Sequence, residues 1–157
     1  MAQHHVYSFY AELKDYEPKV WRRFEINGEK TMAELGYALM LMFEMQASHL
    51  FCFTENRRDA LIADLRSRYS EEEIREQLDK NSMSDFVKNW RYMLADEHAY
   101  IGDDEQLIEA NKITLEHITH RPGWRFTLEY DFGDGWEVDL ELIGCEKREV
   151  FIKTCPV

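Results

Sequence analysis

Apolar residues fall on every second position on both sides of residues 130–136. Upstream they are Trp124, Phe126, Leu128, Tyr130 and Phe132, and downstream they are Trp136, Val138, Leu140 and Leu142. A period of two is typical of strands that bury one face. A three-residue loop from Gly133 to Gly135 would set Phe132 opposite Trp136 and Tyr130 opposite Val138. The pattern therefore predicts an antiparallel hairpin in which Gly135 takes a positive φ.

The other face of this predicted hairpin is acidic. The same register sets Asp131 opposite Glu137 and Glu129 opposite Asp139. Like charges directly opposite each other repel. We therefore expect a cation from a neighbouring part of the sheet to offset them, with Arg22, Arg23 and Arg125 as the candidates.

The amino-terminal part of the chain has the pattern of two strands, a helix and a third strand. Alternating apolar positions predict strands at 6–14 and 20–26, and a short apolar run predicts another at 49–53. Between them, Thr31 and Glu34 form a capping-box pattern, in which each side chain bonds a free amide at the start of a helix. The apolar positions that follow recur every three or four residues, which indicates one helical stripe facing the sheet.

The composition becomes charged and helical from about residue 57 to 97, which predicts a helical insertion. A third helix in it would carry the stripe Phe86, Trp90, Met93 and Leu94. Residues 100–110 have the character of an exposed acidic loop, and 114–120 that of a short helix. We therefore expect an α+β fold with a mainly antiparallel sheet, in the order β-β-α-β, helical insertion, β-β. Helices would pack on this sheet, and residues 1–157 would form a single domain.

Composition limits the classes of function. A chain of 157 residues that is 45% hydrophobic is long enough for one sizeable core. Its formal charge of −12 argues against direct nucleic-acid binding. Three cysteines without a Cys-x-x-Cys pairing fit a reducing compartment. No membrane span or signal peptide is apparent, so a cytoplasmic protein is expected.

The acidic hairpin face is also a candidate metal site. Its ligands would be Glu129, Asp131, Glu137 and Asp139, because clustered carboxylate oxygens suit Mg²⁺, Mn²⁺ or Ca²⁺. The alternative is a solvated face that neighbouring arginines neutralise, which is common outside antiparallel sheets. No cofactor-binding motif is present.

A candidate cleft lies where the third strand would meet the hairpin. His49 stands at the start of that strand, and an imidazole there could bind a metal or move a proton. Asp131, Asp134 and Trp136 of the hairpin complete this predicted cleft. We expect Trp21 and Trp124 to be core residues, and no catalytic residue can be assigned.

The heptad Tyr130-Asp131-Phe132-Gly133-Asp134-Gly135-Trp136 resembles the signature of the plasmid pRiA4b ORF-3-like family, which also occurs as a passenger in mobile elements. Further matches are Val20 to Arg23, Thr31 to Leu35, and Ser48 to Phe53, with Ile113 to Leu115 leading into the signature. The resemblance spans roughly residues 6 to 143 apart from the insertion. It departs from the family at Val138, where a His is frequent, and in the short tail after Cys155. It implies an α+β domain and brings no activity with it.

These observations favour a non-enzymatic binding module over an enzyme. Its partner would be a protein with a basic surface, without direct nucleic-acid or membrane binding. Two alternatives remain open. One is a divalent-metal-dependent hydrolase that uses the acidic hairpin face, and the other is an acidic mimic of nucleic acid that inhibits a nucleic-acid-binding protein.

Overall fold

A computed structural model describes residues 3–46, 51–80, 88–94, 102–118, 121–130 and 135–149. Within these ranges the chain forms an α+β fold, as the sequence predicts. The strands are β1 Gln3–Leu13, β2 Trp21–Asn27, β3 Phe51–Glu55, β4 Asn89–Met93, β5 Glu105–Glu109, β6 Arg125–Tyr130 and β7 Trp136–Glu149. The helices are α1 Met32–Met42, α2 Arg57–Arg68, α3 Glu71–Lys80 and α4 Leu115–Ile118. None of the helices in these ranges has the length and apolar character needed to cross a membrane.

The strands form one sheet in the order β2-β1-β7-β6-β3-β4-β5. Every pairing is antiparallel except that of β4 with β5, so the prediction of a mainly antiparallel sheet is confirmed. The longest pairing joins β1 to β7, with Leu13 opposite Val138 at one end and Gln3 opposite Glu149 at the other. The first and last described strands therefore lie side by side, with only β2 between them and one edge of the sheet.

The core lies between one face of this sheet and helix α1. Alternate residues of the central strands are buried there, including Phe9, Leu128 and Leu140. Helix α1 begins at the predicted capping box, in which the Thr31 hydroxyl accepts a hydrogen bond from the Glu34 amide at 3.1 Å. This cap and the buried stripe of α1 confirm the predicted helix and orient it across the sheet.

The register of the β6–β7 hairpin differs from the prediction. Tyr130 lies opposite Trp136 and not opposite Val138, and Glu129 lies opposite Glu137. The connection is therefore two residues longer than the predicted three-residue loop. A shift of two residues leaves every side chain on its predicted face, so the alternating pattern could not distinguish the two registers. Gly135 does have the expected positive φ, at 71°.

The order predicted for the chain was wrong between residues 88 and 110. Trp90 and Met93, which were placed on a third helix, belong to strand β4. The predicted exposed loop at 100–110 contains strand β5, whose residues Glu105–Glu109 pair in parallel with β4. The insertion thus contributes two helices, in line with its predicted helical character, and one strand that extends the sheet. Phe86 lies outside the described residues.

Helix α2 is attached to the sheet mainly through its first turn. None of its residues is buried, and the side chain of its N-cap residue Asn56 makes no capping hydrogen bond. The side chain of Asn89 on β4 takes that role: its Oδ1 accepts from the Arg58 amide at 2.9 Å and more weakly from the Asp59 amide at 3.4 Å. Asn89 itself is buried. The start of α2 is therefore fixed relative to the polar face of the sheet.

Candidate functional site

The polar face of the sheet lies on the side away from α1. The registers place Glu12, Asp139, Thr127 and Thr54 in one row across β1, β7, β6 and β3. The neighbouring row contains Tyr10, Glu141 and Arg125. Because residues opposite each other share a face, the two rows form one continuous surface.

Arg91 on β4 offsets part of the acidic hairpin face. Its guanidinium lies 3.5 Å from a Glu129 carboxylate oxygen and 3.6 Å from one of Glu105, and its Nε donates to Cys52 Sγ at 3.3 Å. Burial opposes the charge of Arg91, but the Cys52 sulfur and the two carboxylates together raise its pKa. Burial also raises the pKa of the Cys52 thiol, although the hydrogen bond and the charge of Arg91 partly lower it. Arg91 is thus one of the cations that the opposed carboxylates of β6 and β7 require.

The other carboxylates on β7 have partners of different kinds. Lys14 approaches Glu137 at 2.7 Å, and the exposed Arg125 lies 3.6 Å from Glu141, so one of the three arginines proposed from the sequence does act on this face. Asp139 instead accepts a hydrogen bond from the Thr127 hydroxyl at 2.9 Å. The Thr127 hydroxyl gives this carboxylate a hydrogen bond but does not neutralise its negative charge.

A cleft of about 750 Å³ opens on this polar face. Strands β1, β7, β6 and β3 form its floor, and the first turn of α2 borders it through Asn56, Arg57 and Ala60. The charged residues along its lining are Glu12, Glu55, Asp139, Glu141, Arg57 and Arg125. Its volume lies within the range of about 300–1,000 Å³ that is usual for ligand sites.

Two carboxylates oppose each other in the floor of this cleft. Glu12 on β1 lies directly opposite Asp139 on β7. The Lys19 ammonium, on an exposed side chain, lies 3.4 Å from Glu12. Next to this pair, Tyr10 stacks on the half-exposed Trp21 with ring centroids 5.9 Å apart. Trp21 is therefore not a core residue, contrary to the prediction, and the cleft combines negative charge with an aromatic edge.

A buried carboxylate lies at the end of β3, on the core side of the sheet and next to the start of α2. Glu55 accepts a hydrogen bond from the Tyr92 hydroxyl at 3.0 Å and one from Arg57 Nε at 2.7 Å. The Arg57 guanidinium also lies 3.4 Å from the centroid of the Trp90 ring. Burial, followed by the negative charge of Glu55, raises the pKa of the Tyr92 hydroxyl, so this residue stays protonated as the donor. The Arg57 guanidinium is therefore fixed by a hydrogen bond from its Nε and by stacking on the Trp90 ring.

Most of the cleft predicted from the sequence lies outside the described residues. This applies to His49, Asp131 and Asp134, whereas Trp136 begins β7 and stacks on Tyr16 with centroids 5.5 Å apart. Trp136 therefore lies at the loop end of the hairpin, beside the connection between β1 and β2.

The structure describes three of the four predicted metal ligands. Glu129, Glu137 and Asp139 are bonded to Arg91, Lys14 and Thr127, as given above. Among the described residues, no group of three His, Cys, Asp or Glu side chains lies close enough together to hold a metal ion. The fourth ligand, Asp131, lies outside the described ranges, so the metal site remains a prediction.

Sequence reasoning missed Tyr10, Glu12 and Arg57 as site residues. The alternation along the first strand does place Tyr10 and Glu12 on its polar side, but nothing local shows that this strand lies next to β7. Arg57 falls in the predicted insertion, and its role depends on Glu55 and Trp90. Only the paired strands β3 and β4 bring Glu55 and Trp90 together.

Comparisons with known proteins agree with this fold. The family model described as plasmid pRiA4b ORF-3-like protein matches residues 5–156. A crystal structure of the protein of unknown function MM3350 from Methanosarcina mazei Go1 is similar, with a TM-score of 0.61 and 17% sequence identity. The match covers 98% of this chain and 66% of that chain, just under two thirds of its length. At this identity the likeness shows the fold alone. Curated proteins give no significant match.

Proposed function

The chain belongs to the plasmid pRiA4b ORF-3-like family, and we propose that it is a binding module for a protein partner with a basic surface. One observation supports this most strongly. Glu12 and Asp139 face each other in the floor of the cleft, where like charges oppose folding even though Lys19 lies 3.4 Å from Glu12. A cation placed between them would remove that repulsion and gain two charge-assisted hydrogen bonds.

The rest of the cleft favours a basic side chain as that cation. Acidic residues outnumber arginines four to two along its lining, and the whole chain carries a formal charge of −12. The stacked Tyr10 and Trp21 rings beside Glu12 offer the aromatic surface on which arginine side chains commonly stack. An arginine or lysine projecting from a partner therefore matches both the charge and the aromatic surface of the cleft. The long-range negative field would also speed the encounter.

Calorimetric titration with an arginine-rich peptide tests this function. We expect the Glu12→Gln, Asp139→Asn double variant to bind roughly tenfold more weakly or worse, because hydrogen bonds to charged groups contribute about 1.5–3 kcal/mol. The matched control is Glu72→Gln with Asp79→Asn, which removes the same charge from exposed positions on α3. Binding by this control should stay within about twofold of wild type. Equal losses in both variants would mean that only net charge is recognised and would reject the cleft.

Ionic strength supplies a second test of the same proposal. Exposed charges are screened over about 10 Å at 0.1 M salt and about 3 Å at 1 M. The affinity for the peptide should therefore fall steeply between these conditions. A salt-independent affinity would contradict an electrostatic cleft.

The two alternative functions predict different results. A metal-dependent hydrolase using Glu129, Asp131, Glu137 and Asp139 requires Mg²⁺, Mn²⁺ or Ca²⁺ to raise the melting temperature, and Asp131→Asn to abolish that rise. A nucleic-acid mimic requires its partner to release bound nucleic acid when this protein is added. The binding module proposed here requires neither result.

A further inference from the structure

Four neighbouring side chains on β1 and β7 form the centre of the cleft floor. Glu12 lies opposite Asp139, and Tyr10, two residues before Glu12, lies opposite Glu141. All four residues line the cleft. Directly opposite residues on one sheet face have Cβ atoms about 4.5–5.5 Å apart, and diagonal neighbours are about 7–8 Å apart. One side chain of a partner can therefore reach a carboxylate and the Tyr10 ring together.

The two opposed carboxylates have different partners within the chain. Glu12 has the Lys19 ammonium at 3.4 Å, whereas Asp139 accepts a hydrogen bond on Oδ1 from the Thr127 hydroxyl. The Oδ2 oxygen of Asp139 is then the one that a ligand would meet. A lysine of the partner would bring a second compact ammonium next to that of Lys19, and the two like charges would repel. A guanidinium carries the same charge over a larger plane with five N–H donors.

Tyr10 gives this acidic site an aromatic side. Its ring stacks on the Trp21 ring, with centroids 5.9 Å apart and planes 22° from parallel. Trp21 lies opposite Glu12 on β2, so it supports the Tyr10 ring from the side away from β7. Tyr10 is half-buried, and this support limits the freedom that its ring can lose when a cation stacks on it. Guanidinium groups stack on aromatic rings more often than ammonium groups do.

We propose that the cleft selects arginine over lysine in its partner, with the guanidinium bonded to Asp139 and stacked against Tyr10. This inference rests on the proposed function and names the residue that the partner must present. Both basic side chains carry the same charge, but only arginine combines a planar face with a fork of N–H donors. Tyr10 is therefore the residue that determines the specificity of the site.

Two peptides of equal charge test this selectivity. The first consists of three repeats of Gly-Arg-Gly and is capped at both ends, and the second has Lys in place of each Arg. At fixed ionic strength, calorimetric titration should show that wild type binds the arginine peptide roughly tenfold more tightly. Tyr10→Leu should lower the affinity for the arginine peptide about fivefold and that for the lysine peptide less than about twofold.

Three further variants serve as controls for the aromatic ring. Tyr10→Phe keeps the ring and should keep the ratio of the two affinities. Trp21→Leu, at an exposed position, removes only the supporting ring and should also reduce the ratio, so the test does not depend on Tyr10→Leu being folded. Tyr69→Leu removes an exposed aromatic ring at the end of α2, away from the cleft lining, and should change neither affinity.

The outcomes distinguish the two proposals. Equal affinities of wild type for the two peptides, or equal losses for both in Tyr10→Leu and Trp21→Leu, would overturn the arginine selectivity. The basic-partner module would still hold in that case if the Glu12→Gln, Asp139→Asn double variant bound both peptides more weakly. If neither peptide binds wild type, both proposals are overturned.

Discussion

Replacing Arg91 with Met should lower the free energy of unfolding by about 2–3 kcal/mol at neutral pH. Arg91 is only 17% exposed, and from its place on β4 it bridges Glu129 on β6 and Glu105 on β5. Without it, Glu129 would stay opposite Glu137 with no compensating guanidinium. The Met side chain retains the apolar length of Arg91, so the measured loss should report mainly on charge.

The expected size follows from the burial and the distances of the two ion pairs. Removing one partner from a fully buried pair costs about 3–5 kcal/mol. Here the oxygens lie 3.5 and 3.6 Å from the guanidinium, longer than the ~2.7–2.9 Å of strong charge-assisted bonds. Glu105 and Glu129 are also 25% and 32% exposed, which lets water take over part of the interaction. Both features place the cost below the fully buried range.

Arg125→Met is the matched control on the same sheet face. Arg125 lies 3.6 Å from Glu141, a distance like those of Arg91, but its side chain is 77% exposed. Exposed pairs contribute about 0–1 kcal/mol, so this variant should lose less than about 1 kcal/mol. Urea unfolding followed by circular dichroism measures both values, and equal m-values would show that both variants unfold from equally compact states.

A double-mutant cycle checks the proposed cause. Glu129→Gln in the Arg91→Met background should recover part of the lost stability, because it removes the charge left without a guanidinium. Equal costs of Arg91→Met and Arg125→Met would refute this role of Arg91, and so would equal harm from Glu129→Gln in the wild-type and Arg91→Met backgrounds.

Three further predictions concern the elements that position the site. Gly36→Ala would bring a Cβ within 2.6 Å of the Phe51 ring, so the overpacking cost of about 1–3 kcal/mol should exceed the helix-propensity gain of about 1 kcal/mol. In a Phe51→Leu background the same change should become stabilising, and a loss of stability in both backgrounds would contradict the contact. Asn89→Ala should cost about 1–2 kcal/mol and speed amide exchange in the first turn of α2, whereas Asn56→Ala should cost under about 0.5 kcal/mol; similar costs would reject capping by Asn89. Burial raises the pKa of Glu34, but the Lys30 ammonium and the Thr31 amide and hydroxyl outweigh it and hold that pKa below its usual range. The stabilisation by the Glu34 carboxylate is therefore present above the unfolded pKa of about 4.3 and lost as the pH falls through the folded pKa. Glu34→Gln should make the free energy of unfolding fall less steeply at acid pH, and an unchanged fall would contradict this role of Glu34.

The alternating pattern predicted which face of each strand is buried, but it could not predict the register. Burial of Phe126, Leu128 and Tyr130 is satisfied equally well with Tyr130 opposite Trp136 or opposite Val138. A shift by a single residue, in contrast, would have moved all three to the polar face and was excluded by the sequence.

Strands β4 and β5 were missed because their structure depends on distant partners. Trp90 and Met93 are three residues apart, which fits a helical stripe as well as a short strand. Glu105–Glu109 has no alternating apolar pattern, and it forms a strand by pairing in parallel with β4. Parallel pairing leaves no turn signal in the sequence, because the two strands are not joined by a tight hairpin.

The candidate site was predicted only in part for the same reason. The sequence correctly placed Asp139 on an acidic sheet face, but its neighbour Glu12 is far away along the chain. The β1–β7 pairing that joins them depends on the whole sheet. Arg57 similarly acquires its role only when β3 and β4 bring Glu55 and Trp90 together.

The most direct test of the basic-partner cleft measures two properties of one variant, Asp139→Asn. Its folding stability should stay equal or rise by about 0.2–1 kcal/mol, because the change removes the repulsion with Glu12 and an amide oxygen can still accept from Thr127. Its affinity for the arginine-rich peptide should fall roughly tenfold. A variant that gains stability while losing affinity would support a carboxylate kept for binding. A variant that loses stability and still binds as tightly as wild type would contradict the account.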